Sequence, residues 1–488
     1  MRRAVPSRTV ALAVVALLAG CAVGPDFKAP APPAVGRYSR VADPVMTDMA
    51  QGAAQRFDAG TAVTGRWWEF FGSAALNGLV AQALEANPGV TAAEDSLRQS
   101  EDSLRAGYGV FYPAATLEGQ GGRLRRAALP AESVPAGIYN LFTLSASVSY
   151  ALDVFGGERR YLEVLRAQVD LQRETVRGTY LTLEGDVINA VIAHAAYRAQ
   201  AEATRELIRL TEEQVRLTEV RVTAGTEPYS AVLSLKSLLA QYQASVPALQ
   251  QKVTQAEDLL ASLTGRLPAE TPAPQLTLAQ LSLPLSLPVS LPSQLARQRP
   301  DIKVAEAALH AAGANVGVAT AALFPSVSLS AGYGGNANTT GMLFTSGSRA
   351  WSAGAAATQP LFEGGSLWFR RRAAIDTWQQ AQAQYRQTVL AGFEQVADAL
   401  GALTHDATAL AAQERSLSAA RDALQLVQTQ YAAGLDTYLE VLNADAQYQQ
   451  AALDDIQASA LRYQDTVALF IALGGSALPE EAGHGSGG

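Results

Sequence analysis

The sequence predicts a mainly α-helical fold with a small transmembrane β part, built from two internal repeats. Three observations lead to this prediction: one very long amphipathic helix, a second copy of the same short motifs later in the chain, and four segments in which polar and apolar residues alternate. The chain has 488 residues, only 17% of them charged, and a formal net charge of −8. Because phosphate backbones attract basic surfaces, we do not expect an acidic chain of this kind to bind nucleic acid.

The longest element is predicted from Ser366 to Ala433, a stretch without proline whose only glycines are Gly392 and Gly401. Apolar or small side chains recur there about every 3.5 residues, the period of helices that wrap around one another. Such a helix is roughly 100 Å long, whereas the mean globular helix has about 11–12 residues. Two interpretations stay open at this point: a solvated filamentous coiled coil, or one stave in the wall of a helical tube.

The N-terminus has the features of a secretory signal. Arginines precede an apolar run at 10–18, which is too short to span a bilayer as a mature helix. The run ends in Leu18-Ala19-Gly20-Cys21, which is similar to the bacterial lipobox. That similarity implies cleavage before Cys21 and attachment of a diacylglycerol and an N-acyl chain such as palmitate, and Ala22 favours the outer membrane. The alternative is an ordinary signal with an incidental cysteine; with one cysteine there is no internal disulfide in either case.

Two copies of one unit follow the N-terminal region. Asn87-Pro88 recurs as Arg299-Pro300 about 212 residues later, and towards the end of each copy the offset is about 209. We therefore expect a signal peptide at 1–20, a lipid-anchored extended segment at 21–72, a first repeat at 73–265, a linker rich in leucine and proline at 266–290, a second repeat at 291–475 and a flexible tail at 476–488.

Each repeat is predicted to contain a helix, two strands joined by a loop, a very long helix, a tight turn and a further helix. In the first repeat the helices are expected at Ser73–Ala106, Gly157–Thr223 and Pro228–Thr264. Pro247 should kink or split the third of these, because proline removes a backbone hydrogen bond. The two shorter helices stacked end to end would match the long helix, as a wall of uniform height requires.

Four segments alternate with period two and are predicted as strands at about 113–126, 140–155, 325–335 and 350–362. About ten residues with one polar and one apolar face are typical of transmembrane β-strands. Aromatic residues stand at the helix-proximal ends and predict a girdle at a membrane interface: Phe111, Tyr112, Phe155, Phe324 and Phe362. A pair of soluble hairpins packed on the helices is the alternative.

Four strands cannot close a barrel by themselves. A strand in hydrocarbon cannot leave an edge unpaired, and bacterial barrels begin at about eight strands. If these strands lie in a membrane, the chain must therefore form an oligomer, and a cyclic trimer would give twelve strands with no free edge.

These residues resemble the outer membrane factor family, the TolC-like channels, and most closely its lipoprotein branch in multidrug efflux. The most specific stretches are Leu291-Pro292-Ser293, Arg299-Pro300-Asp301-Ile302 and Leu323-Phe324-Pro325-Ser326. The resemblance implies a homotrimer, with a 12-stranded β-barrel in the outer membrane continued by a 12-helix α-barrel tunnel across the periplasm. It also implies three partners: a periplasmic adaptor (membrane fusion) protein, a proton-driven inner-membrane pump and outer membrane lipid.

The resemblance places a gate at the far end of the tunnel. The two tip turns would hold glycines at positions that need a left-handed backbone, with charged residues available for contacts between tips: Gly225, Gly434, Arg221, Glu227 and Asp436. In relatives a leucine and, four residues on, an aspartate form the constriction; the matching residues here are Leu439 and Asn443. Asn443 departs from the pattern, and Asp445 lies two residues further on, so a charged ring is not expected from the motif alone. The alternative is that Leu439 and Asn443 only pack the hairpin.

Three functions are weighed against these features. The first is a passive outer membrane duct for small molecules or drugs; the second is a structural periplasmic coiled-coil lipoprotein without a pore. Alternating strands with aromatic ends favour the duct, because a spacer needs neither. The third is a lipid-anchored enzyme, but no nucleophile with a base, no phosphate loop and no metal-ligand spacing is found, so we expect no catalytic residue, metal or soluble cofactor.

Overall fold

A computed structural model of the chain describes residues 22–40, 42–61, 63, 65–126, 137–270 and 276–475. The expected signal peptide at 1–20, the lipid site Cys21 and the expected tail at 476–488 lie outside the described residues. The chain divides into two compact units. Unit one comprises the described parts of Met1–Pro30, Leu97–Gln172 and Ala305–Tyr385; unit two comprises those of Ala31–Ser96, Arg173–Val304 and Arg386–Gly488.

Helices account for most of the described residues. We number them in chain order: α1 Ala74–Ala86, α2 Pro88–Gly107, α3 Gly157–Thr223, α4 Tyr229–Leu263, α5 Pro292–Gln298, α6 Pro300–Ala321, α7 Ser366–Ala432 and α8 Tyr438–Ala472. The predicted long helices are confirmed within one residue, and α3 and α7 each have 67 residues. None of the described helices combines the length and apolarity that a membrane-spanning helix needs.

The expected first helix, Ser73–Ala106, is two helices instead of one. Its chain breaks at Asn87, which is extended at φ −72° and ψ 121°. The cause is Pro88: a residue that precedes proline is pushed out of the helical region, and proline itself fits the first position of a new helix. The Asn87 side chain accepts from the backbone N–H of Gly89 at 2.7 Å, so the break also starts the second helix.

Pro247 does not split α4, which runs unbroken from Tyr229 to Leu263. Of the two predicted effects of Pro247, the split is therefore wrong, and the kink stays a prediction. Ser245, two residues before Pro247, donates its hydroxyl to the carbonyl of Tyr242 at 2.7 Å. The carbonyl that Pro247 leaves without its helical donor is that of Gln243.

The strands form two separate sheets. Their bounds are β1 Arg56–Ala59, β2 Ala114–Arg126, β3 Gly137–Leu152, β4 Ser286–Val289, β5 Ser326–Ala337 and β6 Arg349–Thr358. In unit two, β1 and β4 pair in parallel. In unit one, β2, β3, β5 and β6 form an antiparallel sheet in that order. The predicted ends at 155 and 362 were too long, because strand pairing stops before Asp153 and before Pro360, which has no N–H to donate.

The core of unit two is anchored by an aromatic cluster at the end of the N-terminal segment. Trp67 is fully buried and stacks on Phe470 of α8 with ring centroids 5.1 Å apart. Its indole Nε1 donates to Glu184 Oε2 of α3 at 2.6 Å, which satisfies a donor that burial would otherwise leave costly. The segment Trp67–Phe71, in which Trp67, Trp68 and Phe71 are buried, is therefore a packing element.

Candidate membrane sheet and gate turns

The four-stranded sheet of unit one has one continuous apolar face. Strand pairing places Leu117, Ala146, Tyr333 and Trp351 in one row across all four strands. A neighbouring row contains Ala115, Val148, Ala331 and Ala353. The large side chains of this face are exposed in the single chain, Leu117 to 75% and Trp351 to 79%. An exposed apolar face of this extent needs a non-aqueous or protein partner.

The other face of the same sheet is polar and internally hydrogen-bonded. Thr116 Oγ1 and Ser147 Oγ lie 2.7 Å apart across β2 and β3. Thr143 Oγ1 donates to Asn336 Oδ1 at 2.9 Å across β3 and β5. The sequence-derived alternation is thus present in the paired sheet, with hydroxyl and amide groups on the side opposite to the apolar rows.

The predicted girdle residues lie at the end of this sheet where its strands meet the helices. Pairing of Leu152 with Val327 and of Ser326 with Thr358 brings the helix-proximal strand ends together. Phe155 and Phe324 stack there with centroids 4.8 Å apart. The other three members adjoin the strand ends, and two of them are strongly exposed: Phe111, Tyr112 and Phe362.

The sheet is open on both sides in the single chain. Among the strands that the structure describes, β2 pairs only with β3, and β6 pairs only with β5. Both edge strands are long, at 13 and 10 residues. Backbone groups along such edges require a further strand unless water satisfies them.

The predicted tip turns have identical backbone chemistry. After α3, Thr226 N–H donates to the Arg221 carbonyl and Gly225 N–H to the Val222 carbonyl, each at 3.0 Å. After α7, Leu435 and Gly434 make the same pair of bonds, each at 2.9 Å. This is the Schellman pattern, and its glycine has φ of +75° at Gly225 and +72° at Gly434. No atom would meet an added β-carbon at either glycine, so the left-handed backbone alone is what favours glycine there.

The charged turn residues make contacts inside their own turns. Arg221 Nη1 lies 3.8 Å from Glu227 Oε1, and both side chains are about one-third exposed. Asp436 Oδ1 accepts from the backbone N–H of Thr437 at 2.7 Å, next to the N-terminus of α8. Arg221 and Glu227 are therefore in contact within the first turn, whereas Asp436 belongs to the second turn.

The predicted gate residues share one face of α8. Leu439 and Asn443 are both half-buried, whereas Val441 and Leu442 between them, and Ala444 next to Asn443, are buried. Both side chains are thus partly covered within the single chain, so the gate role of Leu439 and Asn443 and the alternative that they pack the hairpin both stay predictions.

Asp445 belongs to a different face of α8. Burial raises the pKa of its carboxyl, and the charge of Glu206 on α3 raises it further, while a hydrogen bond from Gln449 and the nearby Arg209 act in the opposite direction. Asp445 and Asn443, two residues apart on α8, therefore lie on different faces of the helix.

Three buried arginines were missed by the sequence analysis as structural residues. Arg462 is 1% exposed and donates to Gln55 Oε1 and to the carbonyls of Ala50 and Ala53. Arg160 donates to Asp26 and to the carbonyls of Val23 and Gly24. Arg299 donates to the Ala472 carbonyl, Gln395 and Asp301. Of the three, only Arg299 belongs to a sequence motif, Arg299-Pro300-Asp301-Ile302. Arg160 and Arg462 interrupt apolar helix faces, a pattern that does not by itself indicate a buried role.

The family model described as "Outer membrane efflux protein" matches residues 79–266 and 291–475. The antibiotic efflux pump outer membrane protein ArpC of Pseudomonas putida is 31% identical over 96% of this chain and 95% of its own. The cation efflux system protein CusC of Escherichia coli O157:H7 is 27% identical over 96% and 99%. The solved outer-membrane channel OprN has a TM-score of 0.81 at 28% identity and covers 93% of this chain and 99% of its own.

Proposed function

The chain belongs to the outer membrane efflux protein family, and from this premise we propose that it is the passive exit duct of a tripartite efflux system. It lies in the outer membrane and acts in efflux. The main support for the duct function is the sheet of unit one, which has one apolar face, one polar face and two unpaired edges. A structural spacer lipoprotein would need no such sheet, and the matching family is described as an efflux protein.

We propose that three copies assemble into a 12-stranded barrel. Each chain contributes four strands, and pairing β6 of one copy with β2 of the next removes every free edge. The apolar rows would then face lipid and the hydroxyl rows the lumen. The girdle residues Phe111, Tyr112, Phe155, Phe324 and Phe362 would mark the periplasmic interface. The helices would continue the lumen as a 12-helix tunnel.

Lipid attachment at Cys21 would give each copy a second hold on the membrane. Two hydrophobic anchors together hold a protein far longer than one acyl chain alone. The residues that follow are fixed to unit one, since Val23 N–H donates to the Phe155 carbonyl at 3.1 Å beside the girdle. The acyl chains would therefore emerge next to the membrane interface, at the place where they can insert.

The tip turns would meet a periplasmic adaptor, and the adaptor an inner-membrane pump that uses the proton gradient. The exposed turn ion pair Arg221–Glu227 contributes only about 0–1 kcal/mol, so docking of a partner can displace it. The Leu439 and Asn443 rings would form the constriction that opens. The relatives are named for antibiotics, toluene and cations, so we propose that the pump, rather than the duct, selects the cargo.

The test is reconstitution of the full-length purified protein in planar bilayers, with its mass measured in detergent. We expect a trimer and stepwise ionic conductance. A folded monomer in detergent, or a trimer that never conducts under any voltage or pH, would exclude the duct and leave the spacer lipoprotein as the better description.

A further inference from the structure

One stripe of α2 lies in solvent in the single chain. Arg98, Asp102 and Arg105 follow one another at helical spacing, and all three are exposed. We call them the α2 stripe. The neighbouring side of α2 packs on its own chain, since a β-carbon on Gly107 would lie 2.5 Å from Leu165 Cδ1 of α3. The stripe is therefore the side of α2 that its own long helix leaves uncovered.

The corresponding stripe of α6 is covered. Pro88 and Pro300 start α2 and α6, so the α2 stripe corresponds to His310, Ala314 and Gly317. His310 Nε2 lies 2.8 Å from Glu163 Oε1 of α3, and a β-carbon on Gly317 would lie 2.7 Å from Arg160 Cγ. Ala314 is 1% exposed. The long helix α3 thus packs on the stripe of α6 that corresponds to the α2 stripe, whereas the described structure places no long helix on the α2 stripe itself.

The long helix α7 has an uncovered stripe of its own. It matches α3 residue for residue, from Gly157 with Ser366 to Thr223 with Ala432, and each helix follows a left-handed glycine. Arg160 and Glu163, which contact α6, therefore correspond to Phe369 and Arg372. Both of these are exposed, Phe369 to 63%, as is Asp376 one turn later. We call Phe369, Arg372 and Asp376 the α7 stripe.

Chain topology brings the two stripes together only between copies. The α2 helix leads into edge strand β2, and α7 follows edge strand β6. If β6 of one copy pairs with β2 of the next, α7 and the neighbouring α2 become adjacent, as α3 and α6 already are within the chain. We propose that the α7 stripe of each copy docks on the α2 stripe of the next copy. This inference rests on the proposed trimer and adds which residues form the contact.

The charges of the two stripes match in one register. The helices are antiparallel, because α2 runs towards its strand and α7 away from its strand. The close approach of Arg160 Cγ to Gly317 sets the register, and replacing both residues by their counterparts places Phe369 over Arg105. The contact of Glu163 with His310, made between the ends of two longer side chains, corresponds to a diagonal between Arg372 and Arg98. The same register then places Arg372 opposite Asp102 and Asp376 opposite Arg98, which gives one cation–π contact and two ion pairs.

A slip of one helical turn reverses this match. Moved one way, Arg372 meets Arg98 and Asp376 meets Glu94; moved the other way, Arg372 meets Arg105 and Asp376 meets Asp102. Every one of these encounters joins like charges, which repel. In the single chain Asp102 pairs with Arg105 at 2.9 Å, both more than 70% exposed, so the stripe can exchange that weak pair for the new contacts. The directly opposed charges thus favour the register set by the close approach of Arg160 to Gly317.

Charge reversal tests the ion pair in the full-length protein. We expect Arg372→Asp and Asp102→Arg each to lower the trimer fraction severalfold at a fixed protein concentration in detergent, measured by native mass spectrometry. The double variant should recover most of the trimer, because the pair is restored with its signs exchanged. Arg216→Asp, on an exposed part of α3, is the matched control and should leave the trimer fraction unchanged.

Cysteine pairs test the register independently of stability. Oxidation of the Phe369→Cys, Arg105→Cys variant should link the chains covalently up to the trimer. Neither single variant should give more than a dimer, which also controls for links through Cys21. A wild-type trimer with no such links and with charge reversals that change nothing would overturn this inference and leave the duct standing. A wild-type chain that forms no trimer would overturn both.

Discussion

Arg462 is the residue on which the N-terminal segment of unit two depends most directly. Its guanidinium serves three oxygen acceptors of residues 50–55 while its side chain is almost fully buried. Arg462→Met keeps the volume but leaves buried carbonyls without donors, and each lost bond to a charged group costs about 1.5–3 kcal/mol. We expect a lower midpoint in denaturant and faster proteolysis within 47–55. Arg415→Met, an exposed change on α7, should alter neither. Equal effects in the two variants would contradict the role of the Arg462 hydrogen bonds in holding residues 50–55.

Asp465 makes unit two sensitive to pH. Burial, then the hydrogen bond and charge of Asp406, raise the pKa of Asp465 from 3.8 to about 7. Since the folded chain holds this proton more tightly than the unfolded chain, the stabilisation is complete below about pH 4 and is lost as the pH rises through 7. We expect Asp465→Asn to flatten the stability profile between pH 4 and 7 and to stabilise unit two at pH 8.

The measurement for Asp465 is a series of denaturation curves at fixed ionic strength across that pH range. Asp454→Asn, an exposed change on the same helix, serves as the control and should leave the slope as in the wild type. A slope that is unchanged in Asp465→Asn would show that another group takes up the proton.

Cys21 carries the prediction about the lipid. Growth with a palmitate analogue should label the protein, and Cys21→Ser should lose the label because the chain has no second cysteine. In the proposed barrel the sheet would hold the membrane without the lipid, so we expect trimer assembly to be weakened rather than abolished. Label retained in Cys21→Ser would rule out this residue as the attachment site.

At the scale of elements, the two tip turns depend on backbone conformation rather than on space. Gly434 has φ of +72° and no atom near an added β-carbon, so Gly434→Ala should cost about 1–2 kcal/mol locally through left-handed strain alone. Gly434→Asn should cost less, since asparagine tolerates this region. Amide exchange of Leu435, whose N–H closes the turn at 2.9 Å, should speed up in that order. Equal exchange in both variants would contradict a purely conformational role.

The long elements could be predicted from the sequence because each is marked twice. The apolar period of α7 gives the helix, and Gly365 and Gly434 mark its two ends, so prediction and structure agree within one residue. Asn87-Pro88 marks the internal repeat, but the same proline also breaks the helix at Asn87, which the predicted helix 73–106 did not include. Side-chain pairing over large sequence distances is invisible to periodicity, which is why Arg462 and its partners some 400 residues away escaped prediction.

At the scale of the whole molecule, assembly decides what the tip residues do. In one chain Leu439 is a half-buried leucine in the first turn of α8, beside the tip turn. Three copies arranged around an axis would convert the same side chain into an apolar ring. A narrow apolar ring resists the entry of water and ions, and a ring of Asn443 one turn further adds polarity without charge.

The gate prediction follows from these rings and is measured in planar bilayers. Leu439→Ala with Asn443→Ala should raise single-channel conductance while the trimer mass stays that of the wild type, because the change widens the constriction without touching the sheet. Leu435→Ala, at the exposed turn itself, controls for loss of any apolar side chain there and should leave conductance unchanged. Wild-type conductance should vary little with pH near neutrality, whereas Asn443→Asp should bind cations in the ring and introduce such a dependence. Unchanged conductance in the double variant, in a correctly assembled trimer, would place the constriction elsewhere along the lumen.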